Sequence, residues 1–160
     1  MAFNLKTCLD TLGLLGQAER EAGGLYRACA LRWPQHEEFW GKLARREDQH
    51  EQYILMLATL VEATPDEFTA GRQFSAAAIG TFINGVRSNA AKVAKGELNS
   101  RQAFFIALDI EKSIIKRNFF KVVETGNKEL RGFLCKVAGE ADEHARVINE
   151  ELRKYSERQP

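Results

Sequence analysis

The sequence predicts an all-α fold: an antiparallel four-helix bundle with a long, partly helical crossover between helices 2 and 3. The chain of 160 residues contains only three prolines and is rich in residue types that favour helix. Four segments place apolar residues at alternating steps of three and four, the rhythm of a helix face in a left-handed bundle. A long Ala- and Gly-containing segment separates the second of these from the third. A single domain over 1–160 is expected at this length.

The bulk composition argues against several classes of partner. A net charge of +1 gives no reason to expect nucleic acid or an acidic membrane surface. No apolar run is long enough to span a bilayer, and the N-terminus lacks the pattern of a signal peptide. Cys8, Cys29 and Cys135 lie far apart without a Cys-x-x-Cys step, which fits unpaired thiols in a reducing compartment. We therefore expect a cytoplasmic protein with no nucleic-acid or membrane partner.

Helix 1 is predicted over 4–33, with Asn4 as its N-cap and Pro34 in the turn that follows. Its row of inward-facing apolar residues, here called the seam, is interrupted once by Glu19. A buried glutamate is rare without a partner. The alternative is a side chain that reaches solvent or pairs with an arginine. Tyr26, two turns on, is expected to be a core aromatic with a hydrogen-bonded hydroxyl.

Helix 2 is predicted over 37–62, and the short turn before it makes it an antiparallel neighbour of helix 1. His36 in that turn is expected to be a surface residue. The rhythm of the helix 2 seam lands on Glu47 and His50. A Glu and a His three residues apart share one helix face. Burying both is costly unless something compensates, and a metal ion is one such compensator. Glu-x-x-His is the pair that di-iron four-helix bundles use.

The crossover is predicted over 64–99. A helical period within it predicts a shorter helix, carried by Phe74, Ala78, Phe82 and Val86. The alternative is a flexible, membrane-touching or partner-binding segment. Its polar face has no strongly basic stripe, which argues against membrane contact.

Helices 3 and 4 are predicted over 101–125 and 128–155, and each seam again has one polar member. These are Glu111 in helix 3 and His144 in helix 4. A single seam histidine is more often a satisfied core residue than a ligand, but this one falls in register with the other intrusions. The two halves of the chain therefore repeat: a helix with a central Glu is followed by an antiparallel helix with a His. The second half has Ala141 where the first has Glu47. Glu140 is the nearest substitute carboxylate.

Carboxylates and imidazoles at one height suit iron or manganese, and zinc could also occupy them. Glu143 is not part of this pattern, because it points away from the seam and is expected to be exposed.

The chain resembles the rubrerythrin branch of the ferritin-like superfamily over nearly its whole length. The matching stretches are Glu19-x6-Tyr26, Glu47-x-x-His50, Ile110-Glu111-Lys112 and Ala138-x-x-Ala141-x-x-His144. The resemblance implies a ferritin-like bundle with a non-haem di-iron centre. It implies five metal ligands, Glu19, Glu47, His50, Glu111 and His144, with Ala141 at the position of the sixth. Glu140 is the candidate substitute ligand.

Two departures from the rubrerythrin pattern bear on function. The sequence shows no Cys-rich rubredoxin-like segment, so an enzyme of this kind would need a separate electron-donor protein. The second helix 3 carboxylate of rubrerythrins is replaced by Ile114.

Three functions remain open from the sequence. The first is an oxidoreductase acting on peroxide or dioxygen with one ligand missing. The second is a non-catalytic iron- or metal-binding protein. The third is a bundle with a decayed site and an interaction role. A homodimer is compatible with all three.

Overall fold

The computed structural model describes residues 3–113 and 115–157, without the side chains of Arg117, Ala141, Ser156 and Glu157. Five α-helices form most of the described chain: α1 Leu5–Arg32, α2 Glu37–Ala63, α3 Ala76–Lys95, α4 Ser100–Lys112 and α5 Lys128–Glu157. Two short strands, β1 Phe68–Ala70 and β2 Val123–Thr125, pair with each other. Short 3-10 segments cover Pro34–His36, Pro65–Glu67 and Lys116–Lys121. The predicted mainly helical fold is confirmed. No helix in the described ranges has both the length and the apolar character needed to cross a membrane.

Helix α1 begins where the sequence predicts. The Asn4 side chain accepts a hydrogen bond from the backbone N–H of Thr7, which satisfies one of the free N–H groups of the first turn. The 3-10 turn at Pro34 then reverses the chain, and α1 packs along α2 on one side and α3 on another.

The expectation that His36 is a surface residue is wrong. Its side chain is only 11% exposed. The imidazole meets the ring of Phe104 edge-on at 5.3 Å and lies 6.0 Å from the ring of Tyr155. Both aromatic rings come from the second half of the chain, so the turn sequence alone gave no indication that they would cover it.

The crossover contains the predicted shorter helix. Ser75 caps its N-terminus by accepting a hydrogen bond from the backbone N–H of Ala78. Gly96 ends α3 in the left-handed conformation (φ 74°), where glycine avoids the strain of a side chain. The buried residues of α3 are Ile79, Ile83, Val86 and Val93. Val86 is at its predicted position, whereas Ile79 and Ile83 each follow a predicted position by one residue.

The prediction that helix 3 runs over 101–125 is wrong, because α4 ends at Lys112. The remainder forms the 3-10 turn Lys116–Lys121 and strand β2. Two valines and a threonine in Val122–Thr125 favour a strand, and β1 from the crossover supplies the partner in antiparallel register, Phe68 opposite Thr125. The approach is close: a Cβ on Gly71 would lie 2.2 Å from the carbonyl oxygen of Lys121. This pairing joins distant segments, so local helical periodicity could not reveal it.

The apolar core forms two clusters along the helix axes. The α4-end cluster includes Tyr26, Trp40, Phe104 and Ile148. The strand-end cluster includes Leu15, Ile54, Phe119 and Val137. In the described part of the chain, six polar or charged side chains are no more than 2% exposed, and we call them the polar layer. Its members are Glu19, Glu47, His50, Glu111, Lys116 and His144.

Candidate metal centre

The structure brings together the five side chains that the sequence singles out. Four of the five helices contribute through their seams: Glu19 from α1, Glu47 and His50 from α2, Glu111 from α4 and His144 from α5. None of the five is more than 2% exposed. They meet because each interrupts the apolar stripe of its helix, near the middle of α1, α2 and α5 and in the last turn of α4. Burial of the stripe therefore carries the polar group inside.

The distances between the side chains are short. His50 Nδ1 lies 3.8 Å from Glu19 Oε2 and 3.7 Å from Glu47 Oε2. His144 Nδ1 lies 3.0 Å from Glu47 Oε1 and 3.6 Å from Glu111 Oε2. Glu47 therefore lies between the two imidazoles, one from each half of the chain. Whether these groups bind a metal stays a prediction at this point.

Glu47, His50 and His144 form the most compact set of ligand atoms. One ligand atom from each lies within 4.8 Å of the others. The two imidazole rings stack with centroids 5.1 Å apart and an interplanar angle of 19°. Ligands about 2.0–2.2 Å from one ion lie about 3 Å from each other, so only small side-chain adjustments separate this set from a coordination site. Its one oxygen and two nitrogens suit iron, manganese or zinc.

Lys116 is the member of the polar layer that sequence reasoning missed. Its Nζ lies 2.5 Å from Glu19 Oε2, contacts Glu47 Oε2 and lies 3.7 Å from Glu111 Oε2. The side chain is fully buried. Had α4 continued, position 116 would have lain about 140° around the helix from Glu111 and away from the seam. Charge balance was the one indication in the sequence that a lysine would join the layer, because three buried carboxylates require compensating cations.

The charges of the layer follow from burial and mutual contact. Burial raises the pKa of Glu19 to about 8, although the Lys116 ammonium acts in the opposite direction. Burial also acts to raise the pKa of Glu47, but the Lys116 ammonium and hydrogen bonds outweigh it and hold that pKa well below its usual range. Burial acts to lower the pKa of His50, yet its hydrogen bonds with Glu19 and Glu47 raise it to about 10. The surrounding carboxylates likewise overcome burial and raise the pKa of Lys116. At neutral pH these pKa shifts favour the protonated form of Glu19 and the ionised form of Glu47. They favour the cationic forms of His50 and Lys116.

Several buried atoms of the layer remain without a hydrogen bond in the described part of the protein. They are Glu19 Oε1, Glu47 Oε1, Glu111 Oε2 and both ring nitrogens of His144. His144 Nδ1 and Glu47 Oε1 are close, at 3.0 Å, but are not aligned for a hydrogen bond. A buried polar atom without a partner costs about 1–3 kcal/mol. A cation placed among these oxygen and nitrogen lone pairs would satisfy several at once, so the residues present fit a metal ion.

Two hydrogen bonds at the edge of the layer orient its members. Glu140 Oε2 lies 3.0 Å from His50 Nε2, with the Glu140 side chain 31% exposed. The Tyr26 hydroxyl donates to Glu111 Oε1 at 2.5 Å, so its expected role as a core aromatic with a hydrogen-bonded hydroxyl is confirmed. Burial first, and then the Glu111 charge, raise the pKa of Tyr26 well above its usual value and keep the phenol neutral. Glu140 thus reaches the layer from α5, as a substitute carboxylate would.

Other residues of the sequence pattern lie outside the layer or outside the described side chains. Glu143 is partly exposed and pairs with Arg146 at 2.5 Å, away from the seam as expected. The Ala141 side chain and residue Ile114 fall outside the described parts of the structure.

Comparison with known proteins identifies no relative of this chain: no protein-family model, no curated protein and no solved structure matches it. The resemblance to rubrerythrins therefore rests on the seam residues and motifs alone.

Proposed function

We propose that this protein is a ferritin-like, rubrerythrin-like metal-binding protein. It holds iron, or else manganese or zinc, in the polar layer and acts as an oxidoreductase on peroxide or dioxygen. The observation that carries the proposal is the convergence of Glu47, His50 and His144, whose ligand atoms lie within 4.8 Å of one another. All three are at most 2% exposed. Clusters of exposed acidic groups are common on protein surfaces, whereas buried ligand sets with unpaired acceptors are not.

The edge hydrogen bonds support a ligand role. A metal would bind the neutral imidazole of His50, in competition with the proton that the layer favours there. In the neutral tautomer that donates its Nε2 proton to Glu140, the Nδ1 lone pair faces the layer. The Tyr26 hydroxyl donates to Glu111 Oε1 and leaves Oε2 without a hydrogen bond, 3.6 Å from His144 Nδ1. In each case the outer partner fixes one atom and leaves the other, inward atom free to bind a cation. This is the arrangement expected of supported metal ligands.

The chemistry divides between the ion and the chain. A bound iron would supply electron exchange with peroxide or dioxygen. The protein residues bind and orient: Glu47 and the two imidazoles hold the ion, and the apolar clusters on either side exclude bulk water. The electrons would come from a separate donor protein.

The full enclosure of the layer favours a second candidate, a non-catalytic metal-binding protein. All six members are at most 2% exposed, and a site so closed restricts access for a substrate. Both proposed functions require a bound metal, and they differ only in whether the protein turns over a substrate.

Metal analysis tests the shared part of the proposal. Protein purified without chelator should contain iron, manganese or zinc by inductively coupled plasma mass spectrometry. Adding that metal to the stripped protein should raise the melting temperature, because the ion binds the folded state. His144→Ala and Glu47→Gln should lose the bound metal, whereas Glu143→Gln, the matched surface control, should retain it.

A protein that contains none of these metals, and whose melting temperature does not respond to them, would overturn the proposal. Turnover then separates the two candidates. Consumption of hydrogen peroxide by the metal-loaded protein with a chemical reductant, absent from the His144→Ala variant, supports the oxidoreductase. Bound metal without consumption supports the storage or binding role.

A further inference from the structure

The two oxygens of Glu47 face different surroundings. Oε2 contacts the Lys116 ammonium and lies 3.7 Å from His50 Nδ1. Oε1 lies 3.0 Å from His144 Nδ1 and has no hydrogen bond. A carboxylate that offers one oxygen to each of two neighbouring positions is placed to bridge two cations. In this structure one of those two positions contains the ammonium of the chain itself.

The Lys116 ammonium is surrounded by carboxylate oxygens, as a bound metal cation would be. Its Nζ approaches one oxygen from each of three glutamates on three different helices: Glu19, Glu47 and Glu111. An ammonium has three N–H donors and no acceptor, so it suits a position surrounded by carboxylate oxygens. Glu19 Oε2 and Glu47 Oε2 are both engaged by it.

The backbone at Lys116 is held by local contacts. The Ser113 hydroxyl accepts a hydrogen bond from the backbone N–H of Lys116 at 3.2 Å, at the point where the chain leaves α4. The 3-10 turn that follows leads directly into β2, which is paired with β1. The side chain also passes close to Phe119, with Nζ 5.3 Å from the ring centre. The lysine is therefore part of the folded framework rather than a mobile surface side chain.

We propose that Lys116 is a built-in cation that fills one of two cation positions in the polar layer, so that the protein binds one metal ion per chain instead of a pair. The single ion takes the position between Glu47, His50 and His144. The lysine donates a hydrogen bond to Glu19 Oε2 and compensates the charge of Glu47 through the second oxygen of that carboxylate, Oε2. This inference rests on the proposed metal-binding function and specifies its stoichiometry.

Removing the charge of Lys116 tests the inference. Lys116→Met keeps the length and apolar character of the side chain without the ammonium, and Lys116→Gln is a second uncharged variant. Lys121→Met is the matched control, because Lys121 lies in the same 3-10 turn and is exposed. Metal per folded chain is measured by mass spectrometry after saturation with Fe(II), Mn(II) or Zn(II) and removal of the excess. We expect one ion in the wild type and the control, and two in the uncharged variants.

The uncharged variants have a second readout in case they fold poorly without metal. Their carboxylates lose the only lysine in the described layer, so saturating metal should raise their melting temperature more than it raises that of the wild type. Two ions per wild-type chain would overturn the inference and leave the proposed function standing. One ion in both uncharged variants, with a wild-type response to metal, would also overturn it. No metal in any protein would instead refute the proposed function.

Discussion

The two halves of the molecule build the same layer in different ways. In the first half, two uninterrupted helices of 28 and 27 residues supply Glu19, Glu47 and His50. In the second half, α4 spans only 13 residues and ends one residue after Glu111. The chain then turns inward to place Lys116, and α5 supplies His144. Where the first half has the carboxylate of Glu47, the second has alanine in the sequence.

The two halves differ mainly in the charged groups that they contribute to the polar layer. The first half brings two carboxylates and an imidazole. The second brings one carboxylate, an imidazole and an ammonium. The ligand pattern that the two halves repeat is therefore asymmetric, with one fewer carboxyl group and one additional ammonium on the second side. The interruption of α4 places that cation, because a continuous helix would carry position 116 away from the seam.

The largest expected effect comes from removing the carboxylate that joins the halves. Glu47→Ala deprives Lys116 of one ionised partner and leaves a cation in the core, so the metal-free protein should lose about 3–5 kcal/mol of stability. Urea denaturation of the stripped protein measures this. Asp48→Asn is the control, because Asp48 forms a half-exposed pair with Arg27 worth no more than about 1 kcal/mol. Equal losses in the two variants would mean that Glu47 is not the link between the halves.

The pH dependence of folding stability should show that the folded polar layer binds more protons than the same residues bind in the unfolded chain. The pKa of Glu19 is raised to about 8 and that of His50 to about 10, each above its value in the unfolded chain. The folded state therefore binds more protons than the unfolded state, and its stability falls as pH rises. The His50 contribution is complete below its unfolded pKa of about 6.5 and is lost as pH approaches about 10. Denaturation midpoints of the stripped protein at pH 6, 8 and 9.5 should decrease in that order. His50→Gln should flatten the upper part of the profile, and an unchanged slope in that variant would contradict this assignment.

Restoring the carboxylate of the second half should make the halves more alike. Position 141 precedes His144 by three residues, as Glu47 precedes His50, so the two side chains share a helix face. Ala141→Glu should raise metal affinity about a hundredfold. Residues that only hydrogen-bond to a metal ligand change affinity by about 10- to 100-fold, and a carboxylate that binds the metal directly should reach the upper end of that range. Competition with a metal-sensitive dye measures the affinity. A variant that folds normally with unchanged affinity would indicate that Glu140 already provides the sixth ligand.

The smallest expected effect concerns that substitute carboxylate. Glu140→Gln keeps the size of the side chain but weakens its bond to His50 Nε2, and metal affinity should fall about tenfold. Glu143→Gln on the same helix is the control and should change nothing, because Glu143 pairs with Arg146 at the surface. The same dye competition compares them. A loss as large as that of His144→Ala would place Glu140 among the direct ligands.

Local periodicity explains why so much of the site could be predicted. Each of Glu19, Glu47, His50, Glu111 and His144 interrupts a regular apolar stripe, and burial of the stripe decides where the side chain points. The same reasoning located the crossover helix and the Asn4 cap. These features depend on residues within a few turns of one another, so the order of side chains along the chain contains the necessary information.

The features that only the tertiary structure decided all depend on contacts between distant segments. Aromatic rings from α4 and α5 cover His36. Helix α4 ends early, and the chain after it leads to β2, which pairs with the distant strand β1. Lys116 enters the layer as a consequence of that interruption. The sequence by itself determined that the chain is helical and that five ligand-type side chains lie on inward faces. The fold determined which cation meets them, because the position of an ammonium after a helix end depends on long-range strand pairing and on the electrostatic demand of buried carboxylates.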